Sequence, residues 1–170
     1  RPDGAVVPVA HDRLVPVHGR AVLADEARTR VFEGDLRDPK TVLAHPDVAA
    51  LIDFDQPVGL LMVAVLHFVT DEADPAGIVA AFTEALAPGS FLVISHAGSD
   101  LVPVETDLLR PIYRSSSSGA LRDHAEISAF FEGFDLVEPG LVRLPRWRPE
   151  EPAPEDLSQY WVYGGVGKKR

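Results

Sequence analysis

The sequence predicts one α/β domain: a mostly parallel sheet with helices on both faces. Two observations predict it. Val58–Val65 (VGLLMVAV) and Ser90–Ser95 (SFLVIS) are unbroken apolar runs, the pattern of parallel strands covered on both sides. Between them, Asp74-Pro75 opens a segment in which Ile78, Val79, Phe82 and Leu86 recur at helical spacing, and Ala87-Pro88-Gly89 ends it. Strand, helix and strand at these lengths form a βαβ unit, whose crossover is almost always right-handed.

The other elements follow in chain order. Val6–Val9 reads as a short strand, weakened by Pro8, which has no N–H for a ladder. Arg13–Asp25 has helical character, with Pro16 interrupting it near the first turn. Thr29–Glu33 (TRVFE) is a second strand. Asp38 then caps a helix that starts at Pro39 and runs to about Ala44, with Asp47–Ile52 continuing it or forming another. Residues 97–121 show no clear period and contain the flexible run Ser115-Ser116-Ser117-Ser118-Gly119. An amphipathic helix at about Asp123–Phe131 turns Ile127, Phe130 and Phe131 inward. Phe134–Val137 and Leu141–Leu144 are short strands, Trp147–Asp156 is a proline- and glutamate-rich surface loop, and Tyr160–Val166 is a last strand. No internal repeat is present.

Composition excludes several classes of function. The 170 residues suffice for one domain, 46% hydrophobic and 25% charged. A net charge of −10 argues against a nucleic-acid partner, and Lys168-Lys169-Arg170 reads as a solvated tail. There are no cysteines, hence no disulfide or thiolate chemistry, and the expectation is a cytoplasmic protein. The longest apolar run, near Val58–Val69, is too short to span a bilayer, and no signal peptide is visible. The first residue is Arg1, not Met, so the chain is expected to lack its natural start.

In open α/β sheets ligands bind at the carboxyl ends of the strands. Here those ends carry His11-Asp12, Gly34-Asp35-Leu36, Leu66-His67-Phe68 and His96-Ala97-Gly98. This series resembles the class I S-adenosylmethionine-dependent methyltransferases. The phrases DLRDPKTVLAHPDV, LLMVAVLHFVTDEADPAGIV, ALAPGSFLVISHA, FFEGFDLVEPGLV and YGGVGKK are similar to an actinobacterial family classed as S-adenosyl methyltransferases and first catalogued as a domain of unknown function. The resemblance covers about residue 5 to the end.

It implies a Rossmann-like three-layer sandwich of the class I methyltransferase type, with a mostly parallel sheet, and roles for particular residues. Asp35, after Gly34, would receive the adenine amino group, with Leu36 beside the ring. Val63, Ala64 and Val65 would lie along the cofactor, and His67 and Phe68 would meet its methionine end and the substrate. Arg122 would face the substrate side. S-adenosyl-L-methionine is the implied cofactor, S-adenosyl-L-homocysteine the product, and a small-molecule methyl acceptor the partner; its site would be built from residues 98–122.

Two departures stand out. The family's first strand carries a glycine-rich loop similar to DIGTGLPT, which this chain lacks. The family's ribose-binding acid aligns with Ala10, leaving Asp12, two residues on, as a substitute. Without the first strand the sheet has a gap in its middle, which buried backbone does not tolerate. Either the chain is a piece whose beginning is missing, or another segment fills the gap; a missing beginning is the favoured expectation.

His67 is either a general base beside the methyl-accepting atom or a strand-end histidine bonded to a loop. His67 and His96, with Asp71 or Asp100, match no strong metal motif, and no metal is expected. Asp71, Glu72 and Asp74 are explained by helix capping. Gly164-Gly165-Val166-Gly167 precedes no helix, so it is a tight strand end, not a phosphate loop. The leading function is methyl transfer to a small molecule; the alternative is a degenerate, non-catalytic fold serving as a ligand-binding or interaction module. Oligomeric state is left open.

Overall fold

The computed structural model describes residues 4–12, 14–22, 28–101 and 119–170. Most of the expected acceptor loop, including its serine run, lies outside them.

Strand β1 (Val9–Ala10) pairs in parallel with β2 (Phe32–Glu33). The pairing extends back to a bridge between Val6 and Thr29. Pro8 accepts from the Phe32 N–H but has none of its own, so regular strand begins only after it. Helix α1 (Leu14–Val22) keeps Pro16 in its first turn, where no intrahelical N–H bond is lost. Two short helices follow, α2 (Pro39–Leu43) and α3 (Pro46–Leu51). Asp38 caps α2 by accepting from the Thr41 N–H at 3.2 Å. His45 caps α3 through Nδ1 at 3.2 Å, and its ring stacks on Phe32 at 3.7 Å between centroids.

The βαβ unit forms as the sequence predicts. Strands β3 (Gly59–Val63) and β4 (Phe91–Ala97) pair in parallel around α4 (Pro75–Glu84). Asp74 caps α4 from the left-handed region, φ 51°, bonding the Gly77 N–H at 3.0 Å. Helix α5 (His124–Ala129) is opened by a reciprocal cap between Asp123 and Glu126. Short strands β5 (Phe134–Leu136) and β6 (Val142–Arg143) both lie antiparallel to the last strand, β7 (Val162–Lys169), which is also antiparallel to β4. The larger sheet is therefore mixed, in the order β3-β4-β7-β5, with β6 also on β7; β1 and β2 form a separate pair.

The glycine run near the end differs from its expected role. It lies inside β7, not at a strand end. A Cβ on Gly167 would stand 2.8 Å from Phe134 Cβ and 2.9 Å from Phe131 Cδ1. The glycines thin the strand so that these aromatic rings pack directly on the sheet.

The register assigns the layers. Leu60 and Met62 align with Leu92 and Ile94, and these with Gly167 and Gly165. That face meets α4 (Ile78, Val79, Phe82) and α5 with the turn after it (Ile127, Phe130, Phe131) in one core cluster, which also takes in Phe32 and Val42. On the smaller sheet, Phe32 points into this core, while its neighbour Val31 is buried on the other side, against Gly19 of α1. Helix α1 thus supplies the third layer, over β1 and β2. Among the described residues no helix is long and apolar enough to cross a membrane.

Candidate functional site

The strand ends gather the expected residues into two groups. The first lies at the ends of β1 and β2. Asp35 follows Gly34 and is 31% exposed. Its carboxylate accepts from the backbone N–H of Arg37 at 2.9 Å, closing a tight turn. The guanidinium of the same arginine adds Nε bonds at 2.9 and 3.0 Å and an Nη2 bond at 2.6 Å. His11 Nδ1 stands 3.7 Å away. Chiefly through the Arg37 hydrogen bond, the Asp35 carboxyl is held below the usual aspartate range and is ionised at neutral pH. Leu36 is half-buried and packs on the core cluster. A Cβ on Gly34 would meet Val9 Cγ1 at 2.7 Å, so this glycine serves the close approach of β1 and β2. Asp12 is exposed, and its Oδ1 accepts from the Leu14 N–H at 2.8 Å where α1 begins.

The second group lies at the ends of β3 and β4. Val63 is 54% exposed and aligned with Ser95. Ala64 has φ 53°, a conformation that disfavours any residue with a Cβ. Ser95 holds it there: Ala64 N–H reaches Ser95 Oγ at 2.9 Å and Ser95 O at 3.2 Å. Val65 is half-buried, and residues Leu66–Phe68 turn as a short 3₁₀ helix. His67 is buried, and Phe68, 48% exposed, lies against it with ring centroids 4.4 Å apart. Burial first, and then the nearby Arg122 charge, push the His67 ring below the ordinary histidine range, so it is neutral at physiological pH.

Arg122, expected on the substrate side, turns inward instead. It is 4% exposed. Nη1 donates to Leu66 O at 3.2 Å and approaches His96 Nε2 at 3.1 Å; Nη2 donates to Val69 O at 2.9 Å and to Asp71 Oδ1 at 2.6 Å. Its Cζ lies 5.6 Å from the Phe130 ring centre. These bonds fasten the turn that carries His67. They also assign the proton on His96. Ala97 O only accepts, so Nδ1, 2.9 Å from it, carries the hydrogen, and Nε2 offers its lone pair to Arg122. Burial lowers the His96 pKa to about 4. With both nitrogens engaged, His96 has no lone pair left for a metal. No cluster with metal-binding spacing occurs among the described residues.

Beyond β4, an open cleft of about 750 Å³ is bounded by Asp100, Leu101, Arg143, Arg146, Glu155 and Tyr163, among others. Tyr163 Oη donates to Asp100 Oδ2 at 2.9 Å; burial, then this contact, raises its pKa to about 12.

Arg37 and Ser95 were not legible as site residues, and Asp71 reads as a cap or weak metal candidate, not as the partner of Arg122. Arg37 had one signal: an arginine two residues after an aspartate in a turn can bond it through backbone and side chain together. The pairings of Asp71 and Ser95 had none, because their partners lie 51 and 31 residues away.

Residues 1–170 match a family model described as S-adenosyl methyltransferase. A crystal structure from Thermobifida fusca is 38% identical with TM-score 0.93, matching 100% of this chain and 65% of its own. A duf574 family protein from Streptomyces avermitilis is 35% identical with TM-score 0.92, matching 99% of this chain and 66% of its own. This chain therefore spans just under two thirds of either relative. An O-methyltransferase family protein from Burkholderia thailandensis shares the fold at TM-score 0.61, 13% identity, 98% of this chain and 43% of its own. A comparison with curated proteins finds no match.

Proposed function

This chain belongs to the S-adenosyl methyltransferase family, and on that premise we propose that its strand ends take part in binding S-adenosylmethionine and in methyl transfer to a small molecule. One observation carries the reading: the Gly34–Arg37 turn presents an ionised carboxylate at a strand end, beside the apolar Leu36. An adenine ring offers the matching chemistry, an amino donor on a flat apolar body.

The residues present fit such a group. Asp35 would accept from the amino group, while Arg37 keeps it charged and aimed without filling its acceptor capacity. Leu36 would pack beside the ring. Asp12, exposed where α1 begins, is the nearest candidate for the ribose hydroxyls. Val63, Ala64 and Val65 would line the methionine end, the strained Ala64 turning the chain sharply away there.

S-adenosylmethionine supplies a methyl group on a cationic sulfur, and its transfer depends mainly on in-line positioning. The part left to this chain is to orient and to exclude water. His67, neutral and next to the exposed Phe68, could take a proton from an acceptor hydroxyl or amine. An acceptor would enter on the side of Asp100 and Leu101, where the cleft opens.

Calorimetric titration of S-adenosylhomocysteine into the chain and into Asp35→Ala tests the reading. Losing a charge-assisted bond of about 1.5–3 kcal/mol should weaken binding roughly 10- to 150-fold. Equal affinity for both proteins, or no binding to the folded chain, overturns it.

A further inference from the structure

The cleft beyond β4 carries both signs of charge without neutralising itself. Arg143 and Arg146 line it together with Asp100, Glu155 and Asp156. Among the described residues no ion pair joins either arginine to these carboxylates. Arg143 is half-buried, and its Nη1 donates to Leu157 O at 2.8 Å, which fixes the guanidinium through one of its N–H donors and leaves others for a ligand. Asp100 accepts from Tyr163 Oη at 2.9 Å, which leaves a carboxylate most of its acceptor capacity. Leu101 and Leu157, both buried, add apolar wall.

The sheet leads from this cleft to the strand end proposed for methyl transfer. Arg143 of β6 is level with Tyr163 of β7, Tyr163 with His96 of β4, and the adjoining Ser95 with Val63 of β3. Residues level on neighbouring strands share a face, so the Arg143, Tyr163 and His96 side chains stand in a row. The row ends beside the turn that starts at Ala64. Neighbouring strands lie about 4.8 Å apart, so Tyr163 is two spacings, about 10 Å, from β3. A cleft of about 750 Å³ has room for a molecule of that length.

Opposite charges that line one cleft without pairing specify the ligand. A simple acid would meet three carboxylates and a simple amine two guanidiniums, whereas a zwitterion is attracted by both sets. We propose that this cleft binds the α-amino acid group of a small molecule, its carboxylate on the planar forks of Arg143 and Arg146 and its ammonium group on Asp100. The site is then the handle of the methyl acceptor, a part of the inference that rests on the methyltransferase reading. The acceptor's side chain spans about 10 Å along the row and brings a hydroxyl or amine to the turn from Ala64 to His67. Transfer joins that oxygen or nitrogen to the methyl carbon, breaks the cofactor's carbon–sulfur bond and releases one proton.

Nuclear magnetic resonance titration of the chain with three probes of one shape tests the site. L-Phenylalanine carries both charges, phenethylamine lacks the carboxylate and 3-phenylpropionate lacks the amine. L-Phenylalanine should shift the side-chain Nε resonances of Arg143 and Arg146 and the Tyr163 amide, and should bind about tenfold or more tightly than either of the others. Arg146→Gln and Asp100→Asn, both at exposed positions, should keep the parent's circular dichroism and weaken L-phenylalanine about tenfold or more. No shift at these residues, equal binding of the three probes, or full affinity in both variants would overturn the proposal. So would displacement of L-phenylalanine by S-adenosylhomocysteine, which would assign it to the cofactor's own methionine end. The titration needs no cofactor: L-phenylalanine binding where S-adenosylhomocysteine does not would sink the methyltransferase reading and leave the amino-acid site standing.

Discussion

Replacing Arg122 by leucine tests the interior of the site most severely. The guanidinium is buried and serves Leu66 O, Val69 O, His96 Nε2 and Asp71 Oδ1. Leucine fills part of the volume and makes none of these bonds. The Val69 carbonyl then loses the Arg122 donor, at about 1–3 kcal/mol, the Leu66 carbonyl keeps only the Val69 N–H at 3.0 Å, and the histidine nitrogen loses its own donor. No buried charge is left behind, so the expected loss is that of the unpaired carbonyl and imidazole nitrogen, about 2–4 kcal/mol. The ion pair itself adds little, because the Asp71 side chain is 78% exposed and water screens it. Asp71→Asn should therefore cost less than about 1 kcal/mol. Arg122→Lys, a point charge without the planar fork, should fall between the two. Urea unfolding followed by circular dichroism, with unchanged slope, measures all three. If Arg122→Leu costs under about 1 kcal/mol, or Asp71→Asn costs as much as Arg122→Leu, the inward role is wrong.

Acid should weaken the fold through His96. The unfolded ring takes its proton near the ordinary 6.5, whereas the folded ring stays neutral down to about 4. Between those values the unfolded state holds more protons, so stability falls as pH drops from about 6.5 to about 4, by on the order of 3 kcal/mol, with His67 adding in the same direction. Urea midpoints across that range check it; a flat profile contradicts it. Ser95→Ala removes the hydroxyl that accepts from Ala64, and should cost about 1 kcal/mol in urea unfolding while weakening S-adenosylhomocysteine binding. Gly167→Ala forces a methyl group against Phe131 and Phe134 and should cost about 1–3 kcal/mol by thermal unfolding, with ligand affinity unchanged.

What the sequence made legible was local. The apolar runs, the Asp-Pro caps at Asp38 and Asp74, and the helical spacing of Ile78, Val79 and Phe82 each act within a few residues, and the βαβ unit follows from them. The strand ends were readable only approximately: the run expected to Val65 stops as a strand at Val63, where Ala64 turns, and the last strand runs on to Lys169 instead of stopping at Val166. Contacts across the sheet were not readable. That β7 runs antiparallel to β4, and that its glycines make room for Phe131 and Phe134, depends on partners more than 30 residues away. The inward turn of Arg122 is the same kind of case: the resemblance implied a substrate-facing arginine, and only the fold brings Leu66 and Val69 beneath it. Ala64 carries no mark of its left-handed turn, because alanine is not a residue that turn selects.

The central claim is that the strand ends at Asp35 and Ala64 form two ends of one cofactor site. The most direct test is a crystal structure of the chain grown with S-adenosylhomocysteine. The account predicts the adenine amino group within hydrogen-bond distance of the Asp35 carboxylate, the ring against Leu36, and the sulfur beside the turn from Ala64 to His67. Ligand bound elsewhere, or an empty site at saturating ligand, would contradict it.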